Sequence, residues 1–274
     1  MHFLSFTWNP SEGIDLGFFT IRYYSLMFVV AFTLGWFITK RIFKNEGQTP
    51  DKLDSLFIYV VIGTLIGARL GHVIFYQSEL FSQDPLSILL PFKTVPEFEF
   101  TGFQGLASHG AAIGIIIAMY LYSKKLIKKP LLWVLDRIVI AVACGAIFVR
   151  IGNFINSEII GKATNSDYGV IFQQLGEDFP RHPAQLYESA GYVFVFLILY
   201  YIYWKTNKSN QMGYLLGAFL ILLWTVRFFV EFVKEAQVDE RADWVLNTGQ
   251  LLSIPFILAG IYLMVRSSKK LVTL

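Results

Sequence analysis

Seven apolar runs, at about 18–39, 54–76, 105–123, 131–154, 186–204, 213–233 and 246–265, recur along the 274-residue chain. Each is close to the ~20 residues that a helix needs to cross the hydrocarbon core of a bilayer. Inside that layer no water is available to backbone N–H and C=O groups, so a spanning segment has to satisfy them within itself, as a helix. The pattern predicts an all-α, polytopic membrane protein with about seven transmembrane helices. Composition agrees: 55% of the residues are hydrophobic, 17% aromatic and only 16% charged, whereas a soluble domain carries about a quarter charged. Residues 1–17 contain Pro10, Glu12 and Asp15 but no lysine or arginine, so no basic n-region and no cleavable signal peptide is expected.

The charges between the runs set an orientation. One side holds Lys40, Arg41, Lys44 and Lys52, then Lys124, Lys125, Lys128 and Lys129, then Lys205 and Lys208, with Arg266, Lys269 and Lys270 in the tail. The other side has Lys93, Lys162, Arg181, Lys234 and Arg241. Thirteen against five assigns the first set to the cytoplasm by the positive-inside rule, with the N-terminus outside and the C-terminus inside. The chain reads as a single integral membrane domain, 1–274, whose two long outer loops, 77–104 and 155–185, form a small head. Pro85–Pro91 is suited to lie on the membrane surface, and Tyr168–Phe172 has strand-like content. Long ordered loops tend to carry function. No repeat of fixed period and no matching pair of broken helices is visible, so the usual sequence pointer to an inverted-repeat transporter is missing.

Polar residues inside the runs mark where a site lies. Arg150, Asn153, Asn156 and Glu158 close the fourth run in Phe148-Val-Arg-Ile-Gly-Asn-Phe-Ile-Asn-Ser-Glu158. An arginine near a bilayer centre costs ~2.5–3.5 kcal/mol on the lenient insertion scale, so such residues face a protein interior and point to a site. At helical spacing Arg150, Asn153 and Ser157 share a face. Arg22, Arg69 and Arg227 also fall in the outer half of the layer, together with Tyr24, His72, His109, Glu188 and Glu231, while Arg137 beside Asp136 is near the cytoplasmic end. Arg227 and Glu231 are four apart and able to pair. Arginine presents a permanent charge and a planar fork that matches phosphate bidentately. At this depth that chemistry suits a phospholipid headgroup. The plainer reading is that Glu158, Glu188 and Glu231 pair with the arginines to lock helices together, and both roles can coexist.

His109, in Gly105-Leu-Ala-Ser-His-Gly110, stands at the outer mouth of the third run and is a natural proton acceptor near neutral pH. His182-Pro-Ala-Gln-Leu-Tyr-Glu188 places Gln185 and Glu188 at a helix entrance. The single cysteine, Cys144, lies among small apolar residues and reads as a packing residue; it excludes an internal disulfide. Four scattered histidines make no metal-ligand pattern, so neither a metal nor another cofactor is expected, and nothing in the charge pattern points to nucleic acid.

Arg150-Ile-Gly-Asn-Phe-Ile-Asn-Ser-Glu158, Ser108-His-Gly110, His182-Pro-Ala-Gln-Leu-Tyr-Glu188, Arg227-Phe-Phe-Val-Glu231 and Gly249-Gln-Leu-Leu-Ser253 occur in that order. Over about residues 15–265 the chain resembles the bacterial prolipoprotein diacylglyceryl transferase family. The resemblance implies a multi-pass protein of the bacterial inner membrane with its head on the periplasmic side. It implies transfer of diacylglyceryl from phosphatidylglycerol to the lipobox cysteine of a prolipoprotein signal peptide, giving a thioether and releasing glycerol phosphate. Arg150 and Arg227 would be the phosphate-side arginines and His109 a candidate base; Tyr24, Arg69, Asn153, Glu158, Gln185, Glu188 and Glu231 would bind substrate. Two positions depart from the family's pattern: Ala111 and Ser157 stand where glycine is common. Outside this resemblance, an arginine-lined cavity also suits a transporter or channel for an anionic solute, which needs a polar path through the cytoplasmic half, or a structural lipid-binding protein.

Overall fold

The computed structural model describes residues 4–17, 20–90, 92–95, 97–100, 105–235 and 246–267. Its helices are α1 (Tyr23–Asn45), α2 (Pro50–Tyr76), a short α3 (Leu80–Gln83), α4 (Ser108–Tyr122), α5 (Leu131–Ile155), α6 (Ala184–Lys205), α7 (Tyr214–Val230) and α8 (Thr248–Ser267). The strands are β1 (Leu4–Trp8), β2 (Gly13–Asp15), β3 (Thr20–Arg22), β4 (Phe92–Lys93), β5 (Glu99–Phe100) and β6 (Tyr168–Phe172). Six of the seven expected spans are long and apolar enough to cross a membrane, α4 being continued to Ile127 by a π turn. The seventh, α7, has 17 residues and sits at the short end of the ~17–25 that spanning helices use. The first span begins later than its apolar run does. Thr20–Arg22 pairs as a hairpin with Gly13–Asp15 instead of winding into helix. Arg22 therefore lies in a strand just before α1, exposed and 4.0 Å from Glu12. Of the charges used for orientation, Arg241, Lys269 and Lys270 lie outside the described residues, as do Pro91, Pro96 and 101–104 of the first outer loop.

Two compact units divide the chain, one formed up to Arg41 and from Leu135 onward, the other from Ile42–Val134. In the second, α2 and α4 cross through glycine. A Cβ on Gly67 would stand 2.4 Å from the Gly110 carbonyl oxygen, and one on Gly114 would stand 2.1 Å from that of Gly63. Glycines four apart on facing helices let backbones approach until dispersion contacts replace the missing hydrophobic drive in lipid. At the end of α2, the loop that follows is fastened by Asp84. Its carboxylate accepts from the Thr94 hydroxyl at 2.5 Å and the Thr94 N–H at 2.7 Å, and from Ser87 N–H. The Thr94 hydroxyl, then these N–H groups, hold the carboxyl below the ordinary carboxylate range. A carboxyl depressed on folding contributes stability above its unfolded pKa of ~4, and that contribution disappears as pH falls through the folded value. We expect Asp84→Asn to melt below the parent protein at pH 7, with the gap closing on acidification below about pH 4. A gap that stays constant across that titration, read by thermal scanning in nanodiscs, would refute this account.

The other unit carries the head. β1 runs parallel to β6 in the register Leu4↔Tyr168 to Trp8↔Phe172. The strand expected at Tyr168–Phe172 is present; its partner near the N-terminus has no counterpart in the apolar pattern. Phe154, Val170 and Phe172 form a small buried core, joined by Trp8, Ile160 and Leu186. The Trp8 indole also donates to the Phe154 carbonyl at 3.0 Å, which anchors the head on the last turn of α5. Arg181 ties the loop together through Glu177, Glu235 and the Gly161 carbonyl. Helices α7 and α8 meet at Gly217 and Gly260, where a Cβ on either would stand 2.7 Å from the other's carbonyl oxygen. At the far end of the unit Asp136, fully buried, accepts from the N–H groups of Gly213 at 2.6 Å and Leu216 at 2.8 Å. A carboxylate from α5 thus caps the start of α7, where orphan N–H groups and the helix dipole both favour negative charge.

Candidate active site

At the head end of α5, α6 and α7 the polar side chains singled out in the sequence converge. Arg150 leaves the last turns of α5. Its Nε is 2.5 Å from a carboxylate oxygen of Glu188 on α6, and its Nη1 donates to Asn153 Oδ1 at 3.1 Å. Glu188 is fully buried, and a buried carboxylate is tolerated only beside such a cation. Asn153 passes the chain of contacts on, donating from Nδ2 to Glu158 Oε2 at 3.2 Å, while Asn156 donates to Oε1 at 3.1 Å. Tyr24 of α1 fits against Gly152, where a Cβ would meet its ring at 2.9 Å, and its hydroxyl bonds Asn153 close to Glu158 and Arg150. Gln185, fully buried, donates to the Glu158 backbone carbonyl at 2.6 Å, and among the described residues its own Oε1 has no hydrogen-bond partner.

The turn that presents Glu158 is strained. Ser157 and Ile159 on either side of it have φ of +54° and +56°, a region that costs a residue with a Cβ ~1 kcal/mol or more. This explains why glycine suits position 157. Here serine is held in place by donating from Oγ to Gln174 at 3.0 Å.

Arg227 of α7 is arranged differently. It is four residues from Glu231, as expected for a pair, but the closest approach of its Nε to Glu231 is 3.7 Å, too long for a hydrogen bond. Glu231 takes its short contacts from Lys234 Nζ at 2.7 Å and Asn247 Nδ2 at 3.1 Å. A Cβ on Gly249 would stand 2.3 Å from the Glu231 carboxylate, so only glycine leaves that acid room beside the start of α8. Tyr192 on α6 is buried, its hydroxyl bonding Arg150 and lying near Glu188 and Arg227.

Tyr24, Arg150, Asn153, Glu158, Gln185, Glu188, Arg227 and Glu231 belong to one unit; the first six share one hydrogen-bonded network, and Arg227 and Glu231 stand apart from it. Arg69 and His109 belong to the other unit. The Arg69 guanidinium is directed at backbone carbonyls, those of Ser87 at 2.8 Å, Ile88 at 3.0 Å and Gly105 at 3.4 Å, and so braces the loop after α2. His109 is exposed in the first turn of α4. The sequence reading passed over Tyr192, Lys234 and Asn247. Tyr192 is four residues from Glu188, on the same helical face. Lys234, read as a loop charge, is almost wholly buried, three residues after the acid that it neutralises. Asn247 had a legible signal: with Gln250 it forms a reciprocal capping box, Gln250 N–H to Asn247 Oδ1 at 2.9 Å and Asn247 N–H to Gln250 Oε1 at 3.0 Å. Among the described residues no group of three or more His, Cys, Asp or Glu is placed to hold a metal ion.

Two guanidinium groups, each at the head end of an apolar helix, suit a ligand with an anionic headgroup and apolar chains. Comparison with known proteins gives the same direction. Residues 12–266 match the family model of prolipoprotein diacylglyceryl transferase. A protein of Tolumonas auensis named phosphatidylglycerol–prolipoprotein diacylglyceryl transferase is 40% identical over 264 residues, 96% of this chain and 98% of its own. One of Bacteroides fragilis with the same name is 40% identical over 270 residues, 97% of each chain, and one of Ehrlichia ruminantium is 33% identical over 254 residues, 91% and 93%.

Proposed function

The chain belongs to the prolipoprotein diacylglyceryl transferase family, and from that premise we propose how its residues move a diacylglyceryl group from phosphatidylglycerol to the lipobox cysteine of a prolipoprotein. The observation that carries the assignment is the pair Arg150 and Arg227, both near Tyr192, with Arg150 held by the buried Glu188. The protein is a multi-pass membrane enzyme of the bacterial membrane. Its orientation, with the N-terminus and head outside and the C-terminus in the cytoplasm, is supported by the lysines of the links after the first, third and fifth spans.

In this reaction the substrate's thiol sulfur attacks the glyceryl carbon that bears the phosphate ester. A carbon–sulfur bond forms and the carbon–oxygen bond breaks, its electron pair leaving with glycerol phosphate. A free thiol has a pKa of ~8.5, so near neutral pH only a small fraction is thiolate. His109 is assigned to take that proton, and the arginines' positive field raises the thiolate fraction. Guanidinium donors already aimed at the phosphate stabilise the charge that develops on the leaving group, and losing one such donor costs ~10²–10³ in rate. Tyr24, Asn153 and Glu158 are assigned to orient the donor lipid, Gln185 and Glu188 to hold Arg150 and Glu158, and Glu231 to bind substrate beside Arg227. Arg69 is assigned a supporting role at the outer loop. The anion-channel alternative needs polar groups free in the cytoplasmic half, and among the described residues Asp136 there is committed to the α7 N-terminus.

Proteoliposomes containing phosphatidylglycerol and a lipobox peptide test the reading. The peptide is expected to gain one diacylglyceryl mass, and a cysteine-to-serine peptide to gain none. With His109→Ala the rate is expected to fall ~10²-fold near neutral pH and to recover in part as pH approaches the thiol's own pKa. An unmodified peptide over folded protein removes the transferase reading; a His109→Ala rate equal to the parent's at pH 7 removes only the base. A cysteine placed at Lys125 is expected to react with an impermeant maleimide only from the cytoplasmic side, and labelling from outside would reverse the orientation.

A further inference from the structure

Arg227 is held in place by something other than the acid four residues on. Its buried Nε makes no hydrogen bond among the described residues, and Glu231 is occupied by Lys234 and Asn247. What the guanidinium does meet is an aromatic ring, its Cζ 5.2 Å from the centroid of Trp224, three residues earlier on the same face of α7. That indole is itself fixed. The ring of Phe256 on α8 stacks on it with centroids 4.2 Å apart and planes within 4°. A ring at that distance fills one face of the indole, so the guanidinium approaches from the uncovered side. Phe256 follows Pro255, a proline in the helix interior, which has no N–H to donate to the helix.

The chemistry of this contact differs from that of an ion pair. A carboxylate at hydrogen-bond distance would consume N–H donors of the fork and neutralise its charge. The negative face of an indole attracts the cation within ~6 Å without accepting a conventional hydrogen bond. The fork then keeps its donors and its full charge for the ligand, at a fixed place. Glu231, held by Lys234 at 2.7 Å and lying 3.7 Å from Arg227 Nε, takes no hydrogen bond from that nitrogen.

We propose that Trp224, clamped by Phe256, is the positioning residue for Arg227 in the transfer reaction. This rests on the phosphate-holding reading of Arg227 given above. The test is incorporation of mono-, di-, tri- and tetrafluorotryptophan at position 224 alone in the full-length protein, assayed in phosphatidylglycerol proteoliposomes with the lipobox peptide. Fluorine drains the ring's negative face while barely changing its shape. We expect kcat to fall stepwise with fluorine count, about tenfold over the series, with melting temperature and the KM for peptide unchanged. Trp224→Phe should lie between the parent and Trp224→Leu. A flat kcat across the fluorinated series makes Trp224 a packing residue and overturns the inference, whether or not Trp224→Leu is impaired. Failure of the parent protein to transfer at all would instead sink the reading of the site, and this inference with it.

Discussion

Arg150→Lys is expected to lose diacylglyceryl transfer by ~10²–10³-fold although the positive charge is kept. Arg150 does two jobs at once with separate nitrogens, Nε against Glu188 at 2.5 Å and Nη1 against Asn153 at 3.1 Å. A lysine ammonium is a single point on a flexible stem. Placed where it neutralises the buried Glu188, it abandons Asn153, and with it the orientation of Glu158. Placed at Asn153, it leaves a fully buried carboxylate without its cation, which costs several kcal/mol. The first placement is the cheaper, so the variant should fold with a modest loss of melting temperature while its rate collapses. Arg150→Ala lacks both placements and should be destabilised as well as inactive. The mass of the lipobox peptide after incubation reads the rate, and thermal scanning in the same lipid reads the fold. Turnover by Arg150→Lys within a few-fold of the parent would remove the argument that fork geometry at α5 matters.

The second large effect concerns stability. Asp136→Ala should destabilise the protein by ~2–4 kcal/mol, because each hydrogen bond to a charged group is worth ~1.5–3 kcal/mol and the orphaned donors stay buried. The two donors are the N–H groups of Gly213 and Leu216 at the first turn of α7. Asp136→Asn keeps one acceptor oxygen and should lie between. Since Asp136 is no part of the candidate site, the rate per folded molecule should be unchanged in both. A melting temperature for Asp136→Ala equal to the parent's would show that α7 starts without this cap.

How much of this was legible beforehand varies by residue. The four-residue spacing of the glycines at 63, 67 and 71 and at 110 and 114 is visible in the chain, a local property of each helix, whereas which helices they join is not. The pairing of Arg227 with Glu231 looked equally secure from its spacing, yet the two are 3.7 Å apart and the acid is claimed by Lys234 and Asn247. Spacing within a helix says which side chains can meet; it is silent on competitors arriving from another element. Arg22 shows the same limit, since its strand pairing with Gly13–Asp15 outcompetes the helix that its apolar neighbours favour. β1 was invisible for a related reason: its partner, β6, lies over 150 residues further along the chain.

What the sequence determined by itself was the solvent and the inventory: apolar runs of bilayer length, the charge asymmetry between links, and a small set of arginines, acids and amides too costly to bury without purpose. Those follow from transfer free energies and from periods of a few residues, which any stretch of chain carries within itself. The tertiary structure decided allegiance. It gave Arg150 to Glu188, Arg69 to the carbonyls of the loop after α2, Asp136 to the start of α7, and left Arg227 against Trp224 with its Nε unbonded among the described residues. Charged groups in a low-dielectric interior are governed by whichever partner is nearest, and nearness between helices far apart in sequence exists only once the chain has folded.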